Sequence, residues 1–529
     1  MNTSPTAEEG FGTISVAAIL AESAARFPDS AALVVGEERV TYSELWEQTR
    51  AYAGALRDRG VGHASRVALL MPNVADFARV YYAVLALGGV VVPLHALLKG
   101  REIEYMLRDS GAQLLVCAGP LLEEGAKGAA AAAAGIDVVT VLVPEGPEGA
   151  ARLETEAAGA EPISTWLPLR PFETATILYT SGTTGQPKGA LGSHFAIVEQ
   201  TNTLLTSTFD LRRGDVIFGG LPMFHTFGQT CVLNTGLRAG ATIVMLPKFS
   251  GDAALDALTR HNINVFFGVP TMYIAMLEAA RTNTGRSNAL RYCISGGASL
   301  PVAVMDRFKT EFGSDIYEGY GLTETSPVAT FNHVGKAPRP GTVGQAIWGV
   351  QVEIARADVQ DAIELQPTGE LGELVVRGHN LFTGYLNRPE ATAEAVVDGW
   401  FRTGDLGTKD GDGYLRILDR KKEMIIRNGF NVYPREVEEV LSRHEAVLSV
   451  AVYGVPDETH GQEVAAAVVL NPGSSATVDE LRDFAAAELA AYKYPRIITL
   501  VTEFPTGPSG KVLKRELTAR YSTSDTPTG

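Results

Sequence analysis

Short apolar runs recur along this chain between stretches with helical apolar spacing, and that alternation limits the folds open to it. The runs lie at residues 66–71, 114–117, 138–143, 242–246, 265–267 and 292–295. Each is short, rich in Val, Ile or Leu, and predicts a buried strand. Buried strands alternating with helices call for a sheet covered on its faces, so the pattern predicts layered α/β architecture. Ahead of it, residues 16–27 and 41–59 carry the spacing of amphipathic helices. The longest apolar stretch, residues 80–98, is interrupted by Gly88, Gly89, Pro93 and His95. It therefore predicts a buried helix, a glycine turn and a buried strand, and no transmembrane segment. Residues 123–136 are rich in Ala and Gly and predict a soft surface helix or loop.

The pattern changes after Gly341, where short strands with Gly-rich turns, as in residues 369–376 and 411–414, predict a β-rich subdomain. A compact α+β unit follows, with helices at 434–443 and 478–489, strands at 447–454 and 463–470, and a last helix after Lys511. The tail, residues 522–529, has no apolar content and is expected to be disordered. A chain of 529 residues exceeds one small core, and two or three domains are expected. The net charge of -16, with no long run of Lys or Arg, argues against nucleic acid as a partner. Cys117, Cys231 and Cys293 stand far apart with no paired spacing, which suggests neither zinc nor disulfides and fits a reducing cytoplasm. The first thirteen residues lack a basic flank and apolar core, so no export signal is read there.

One segment carries specific chemistry. In residues 177–189, Ile-Leu-Tyr-Thr-Ser-Gly-Thr-Thr-Gly-Gln-Pro-Lys-Gly, an apolar strand runs into glycines, hydroxyls and a lysine. Gly182, Gly185 and Gly189 let backbone N–H groups approach oxyanions. Thr180, Ser181, Thr183 and Thr184 add hydroxyl donors, and Lys188 adds positive charge. This is a polyphosphate grip. It differs from the nucleotidase P-loop, because Gly-Lys-Ser/Thr is absent and no helix begins at the required place.

Other motifs follow in order: Leu-Pro-Met-Phe-His-Thr-Phe-Gly at 221–228, Ser-Gly-Gly-Ala at 295–298, Tyr-Glu-Gly-Tyr-Gly-Leu-Thr-Glu at 317–324, Thr-Gly-Asp at 403–405, Leu-Asp-Arg-Lys-Lys-Glu-Met-Ile-Ile at 418–426 and Pro-Thr-Gly-Pro-Ser-Gly-Lys at 505–511. With the loop at Thr180, they resemble the adenylate-forming superfamily of acyl-CoA synthetases, luciferases and peptide-synthetase adenylation domains. The resemblance spans roughly residues 16–515. It implies a large N-terminal domain of layered α/β subdomains plus a β-rich subdomain, residues 1–420, and a small mobile α+β lid, residues 421–529.

Residue chemistry and resemblance together suggest a site. Glycines beside Tyr320 would let a base lie on its ring, with Glu318, Gly319 and Gly321 around it, while Thr323 and Glu324 face the phosphates. The resemblance puts Gly296, Gly297 and Ala298 on the adenine pocket. Glu324 is the Mg²⁺ candidate, since magnesium takes one or two carboxylates alongside substrate phosphates. A lone Asp405 suits vicinal ribose hydroxyls, and the resemblance adds Arg420. His225 reads either as a core histidine or, by resemblance, as the neighbour of the acid's carboxylate. Phe227, Gly296 and Gly321 complete the acyl side. Lys511, in a Gly-flanked loop, would offset repulsion between carboxylate and α-phosphate. By resemblance Lys422 is the hinge, while Gly429 and Phe430 belong to coenzyme A, although Ile426 and Asn428 replace lysines that several relatives carry there.

The implied reaction is ATP-dependent formation of an acyl-AMP with loss of pyrophosphate, then transfer to coenzyme A. Thr184, Lys188, Glu324, His225 and Lys511 would be its catalytic set. Absence of Arg and Lys from 221–228 weighs against a second carboxylate on the acid. A medium or long fatty acid is expected, or a bulky aryl or polycyclic one. A carrier-protein acceptor, luciferase-type oxygen chemistry and an inactive binder are the alternatives, and a homodimer is one open assembly.

Overall fold

The computed structural model describes residues 12–132, 135–142, 151–180, 186–282, 289–507 and 512–521. Four sheets organise these residues. In the six-stranded sheet, Asp137–Val141, Leu114–Ala118, Arg66–Leu70, Val90–Leu94 and Thr174–Thr180 run parallel. Lys188–Ser193 closes its edge antiparallel. The nine-stranded sheet has a parallel centre built from Ile316–Gly321, Tyr292–Ser295, Val265–Gly268, Val216–Gly219, Thr242–Met245 and Ala31–Val35. One hydrophobic core joins the two sheets through the helices between them, among which Ala75–Ala86 is buried along nearly its whole length.

Local chemistry starts these elements where it should. Helix Tyr42–Asp58 opens on a reciprocal cap, in which Glu44 N donates to Thr41 Oγ1 at 3.2 Å and Thr41 N donates to Glu44 Oε2 at 2.8 Å. Residues 80–98 form the end of a buried helix, a turn and the strand Val90–Leu94. No helix among the described residues is long and apolar enough to cross a membrane.

The surface helix or loop expected at 123–136 is a helix, with Glu123, Ala126 and Lys127 exposed. Leu122–Ala132 is a packed helix that buries Gly125, Gly128, Ala129 and Ala132. A Cβ on Gly128 would stand 2.5 Å from Ile103 Cγ2, so its small residues serve close approach to helix Gly100–Ser110. The tail at 522–529 lies outside the described residues.

The β-rich part forms an antiparallel sheet of Val350–Ala355, Gly372–Gly378, Trp400–Lys409, Val396–Val397 and Leu415–Arg420. Beyond it, Phe430–Val432, Ile425–Arg427, Gly461–Leu470, Val447–Asp457 and Ile497–Leu500 make a smaller sheet. Helices Pro434–Leu441 and Val478–Glu488 share a core with one face, and helix Lys514–Tyr521 shares a core with the other. The chain is thus mixed α/β, with a large N-terminal domain and a small C-terminal one.

Candidate active site

Ligands of open parallel sheets gather at the carboxyl ends of strands, and the predicted residues converge there. Ile316–Gly321 ends in Gly319, Tyr320 and Gly321, Tyr292–Ser295 runs into Gly296, Gly297 and Ala298, and Val216–Gly219 leads to the His225 segment. The six-stranded sheet contributes its edge hairpin, where Thr180 and Lys188 are direct cross-strand partners. Ser181, Gly182, Thr183, Thr184 and Gly185 lie outside the described residues, as does Lys511.

A cavity of about 920 Å³ receives Thr180, Lys188, His225, Phe227, Gly296, Thr323, Glu324 and Lys422 in its wall. A second cavity shares Gly297, Gly319, Tyr320, Gly321 and Arg420 with the first, and adds Ala298, Asp405, Val512 and Lys514. Gly321 is required by its surroundings, because a Cβ there would stand 1.7 Å from the Pro327 carbonyl oxygen. The buried Ser295 Oγ, on the wall of the first cavity, finds no hydrogen-bond partner among the described residues. A buried hydroxyl left open at a cavity wall suits a polar ligand atom.

On the wall of the second cavity, Asp405 is only 3% exposed. Its Oδ2 accepts from the Tyr320 hydroxyl at 2.6 Å, and its Oδ1 faces Arg420 Nε at 3.1 Å. The phenol is therefore fixed in plane by the carboxylate beside it. Glu318 differs from its neighbours in direction. Its carboxylate accepts from Leu300 N at 3.2 Å, so it braces the loop after Ala298 and does not line either cavity. Burial pushes its carboxyl up to about 7 against the opposing pull of that N–H and of Arg435.

Glu324 is 7% exposed, and burial raises its carboxyl above the usual range while the Tyr385 hydroxyl, at 2.7 Å from Oε1, opposes the shift. A buried carboxylate on a cavity wall whose Oε1 takes a neutral phenol as donor is chemically suited to a hard divalent cation. Its neighbour Tyr385 was invisible to sequence reasoning. It stands 61 residues away, in a β-rich stretch without periodic signal.

His225 lines both cavities, and burial, aided by His95, pulls its imidazole down to about 4. It is therefore neutral at ordinary pH. Its Nδ1 accepts from Phe227 N at 3.2 Å, which leaves the proton on Nε2. Phe227 opens a wide π-helical turn, Phe227–Asn234, a geometry that recurs at functional sites. Phe209, Phe227, Ile294, Val328 and Phe331 give the first cavity apolar wall, with the Phe209 and Phe331 rings edge to face at 5.0 Å. The structure does not bring Gly429 and Phe430 here. Phe430 is 54% exposed and stacks on Tyr492 at 4.8 Å on the small sheet.

Adjoining cavities lined by apolar side chains, by the cation Lys188 and the carboxylate Glu324, and by the Tyr320–Asp405–Arg420 cluster suit an enzyme that joins an acid to a nucleotide. Comparison with known proteins gives that class its family. The family described as AMP-binding enzyme matches residues 20–386, and the AMP-binding enzyme C-terminal domain matches 436–511. A long-chain-fatty-acid–CoA ligase of Bacillus subtilis (strain 168) is 34% identical, over 94% of this chain and 93% of its own length. A feruloyl-CoA synthase of Amycolatopsis sp is 36% identical, over 93% and 96%. The crystal structure of ATP-bound MatB from Rhodopseudomonas palustris superposes with a TM-score of 0.87 at 32% identity, covering 96% of this chain and 99% of that one. The chain belongs to the AMP-binding, adenylate-forming family and is an acid–thiol ligase of its acyl-CoA synthetase branch, using ATP, Mg²⁺ and coenzyme A.

Proposed function

We propose that the acid is an apolar monocarboxylic acid, fatty or aryl, and that free coenzyme A accepts its acyl group. The observation that carries this reading is the apolar cavity wall contributed by Phe209, Phe227, Ile294, Val328 and Phe331, side chains that offer a tail packing and no charge. The names of the long-chain-fatty-acid and feruloyl relatives fall within the same class.

In this reading Thr180 and Lys188, with Ser181, Gly182, Thr183, Thr184 and Gly185, hold the polyphosphate. Gly296, Gly297, Ala298 and Tyr320 hold the base, and Asp405 and Arg420 the ribose. The Nε2–H of His225 orients the acid's carboxylate without adding charge. Glu324 would hold Mg²⁺, which when bound neutralises phosphate charge during transfer. A carboxylate oxygen attacks the α-phosphorus and pyrophosphate leaves. Both partners are anionic, so positioning and charge neutralisation by Lys188 and Lys511 carry the step. The thiol then attacks the acyl carbon and AMP leaves. Residues 1–420 act as the adenylating domain and 421–529 as a lid turning about Lys422, which brings Gly429 and Phe430 to coenzyme A. The separate hydrophobic clusters on the two sides of this boundary support that division. The buried free cysteines Cys117, Cys231 and Cys293 fit the cytoplasm as its compartment.

The test is a panel of acids assayed for pyrophosphate release, with thioester product measured on free coenzyme A and on a carrier-protein pantetheine. Fatty or aryl monoacids should release pyrophosphate and acylate free coenzyme A. Release with dicarboxylates alone, or thioester on the carrier alone, would overturn the reading. Light scattering on the same sample decides between monomer and homodimer.

A further inference from the structure

Tyr385 touches both polyphosphate-facing charges of the first cavity, Glu324 and Lys188, through different parts of one side chain. Its backbone is held in place from two directions. Phe382 N donates to Glu324 O at 2.9 Å, while Thr383 N donates to Leu191 O at 2.9 Å and Leu386 N to Gly189 O at 2.8 Å. The segment is thus bound both to the turn that carries Glu324 and to the strand Lys188–Ser193. The ring also packs edge to face on Phe382, with centroids 4.8 Å apart. From that fixed base its hydroxyl donates to Glu324 Oε1 at 2.7 Å, and Lys188 Nζ stands 5.0 Å from its ring centroid.

One buried carboxylate of this chain, Glu373, is neutralised by a direct pair with Arg402 at 2.8 Å. A similar pair between Lys188 and Glu324 would consume the cation and the anion that a metal–polyphosphate needs separately. The phenol answers each with a neutral partner instead. Its hydroxyl stabilises the carboxylate through one oxygen, and its face attracts the ammonium through the ring quadrupole. Neither contact uses up a formal charge.

We propose that Tyr385 is a positioning residue of the ligase, whose hydroxyl orients Glu324 toward a divalent cation and whose ring holds Lys188 toward phosphate, keeping the two from pairing. The proposal rests on the metal and phosphate roles given above to Glu324 and Lys188. It also makes the hydroxyl and the ring separable.

The experiment is calorimetric binding of ATP to the full chain, with Mg²⁺ absent and then titrated, and of AMP as a control, for wild type, Tyr385→Phe, Tyr385→Leu and Glu324→Gln. Tyr385→Phe keeps the ring, so metal-free ATP and AMP should bind as to wild type. The Mg²⁺ concentration that half-saturates the metal effect on ATP binding should rise roughly tenfold, the size expected for a lost hydrogen bond to a charged group. Tyr385→Leu should show the same rise and, in addition, weaken metal-free ATP about threefold through Lys188. A merely structural residue would move AMP binding and the melting temperature as well. A Tyr385→Phe curve superposed on wild type overturns the proposal, as does an equal loss of metal-free ATP in both tyrosine variants. If Glu324→Gln leaves the Mg²⁺ dependence unchanged, the metal assignment fails, and the proposal with it.

Discussion

Asp405 and Arg420 are direct cross-strand partners on adjacent antiparallel strands, and Tyr320 reaches the same carboxylate from the nine-stranded sheet 85 residues earlier in sequence. The Asp405 carboxylate thus sets both the plane of the Tyr320 ring and the side chain of Arg420 before any ligand arrives. Asp405→Ala removes the proposed ribose acceptor and releases both neighbours, so ATP affinity should fall by about tenfold or more. The discriminating measurement uses 2′-deoxy-ATP. It should bind more weakly than ATP to wild type and nearly as well as ATP to the variant. An equal penalty on both proteins would remove the ribose assignment.

In the proposed reading, the apolar wall at Phe331 sets a length limit on the acid's tail. Phe331 is fully buried between Phe209 and the Gly319 backbone, where a Cβ on Gly319 would lie 2.5 Å from the Phe331 ring. Phe331→Ala should lower stability by about 3–5 kcal/mol, the usual cost of emptying such a site. It should also shift the chain-length optimum of pyrophosphate release toward longer fatty acids. Competition between a short and a long acid in one assay checks the shift, since it is read as a ratio independent of the amount of folded enzyme. An unchanged ratio would place the tail elsewhere.

Much of the site was legible because its contacts are local or its chemistry is carried by one residue type. Thr180 and Lys188 belong to one hairpin, and the glycines at Gly296 and Gly321 announce backbone approached by something else. Tyr385 was not legible. A single tyrosine in a β-rich stretch carries no spacing signal, and its partner lies 61 positions away. Glu318 was misleading in another way, because sequence adjacency to Gly319 does not say on which side of a strand a carboxylate falls. In the fold, the parallel strands could be read from their apolar runs. The close packing of helix Leu122–Ala132 could not, since composition does not distinguish small residues that pack closely from small residues that are merely exposed.

His194 gives the fold a pH dependence of its own. It is 1% exposed, its Nδ1 accepts from Val16 N at 3.1 Å, and burial pulls its imidazole from 6.5 to about 4. Between those values the unfolded chain binds a proton that the folded chain does not. Stability from this group is therefore complete above pH 6.5 and declines as pH falls toward 4, by up to about 3 kcal/mol. His194→Gln should cost stability at pH 7 yet flatten this part of the profile. Urea denaturation midpoints for both proteins across the range test it, because carboxylate contributions are common to the two and cancel in the difference. Parallel profiles would show that His194 does not titrate as its burial requires.

The two half-reactions should separate by mutation if, as proposed, the lid presents different residues to the cleft at different times. In the present arrangement Val512 and Lys514, which follow Lys511, line the cavity beside Tyr320 and Asp405, while Phe430 stacks on Tyr492 away from it. In the proposed mechanism that side of the lid serves adenylation. Lys511→Ala should then abolish acyl-AMP formation from free acid and ATP. It should leave thioester formation near wild type when synthetic acyl-AMP and coenzyme A are supplied. Lys422 lies in the turn between strands Leu415–Arg420 and Ile425–Arg427, where proline would fix φ and restrict the preceding residue as well. Lys422→Pro should therefore keep pyrophosphate release and lose thioester formation by about tenfold or more, since a lid that cannot turn keeps Gly429 from the thiol path. Each half-reaction is measured alone, by pyrophosphate release and by thioester yield from preformed adenylate. Equal damage to both steps by Lys511→Ala, or none to either by Lys422→Pro, would rule out the rotating lid in this protein while leaving the ligase itself in place.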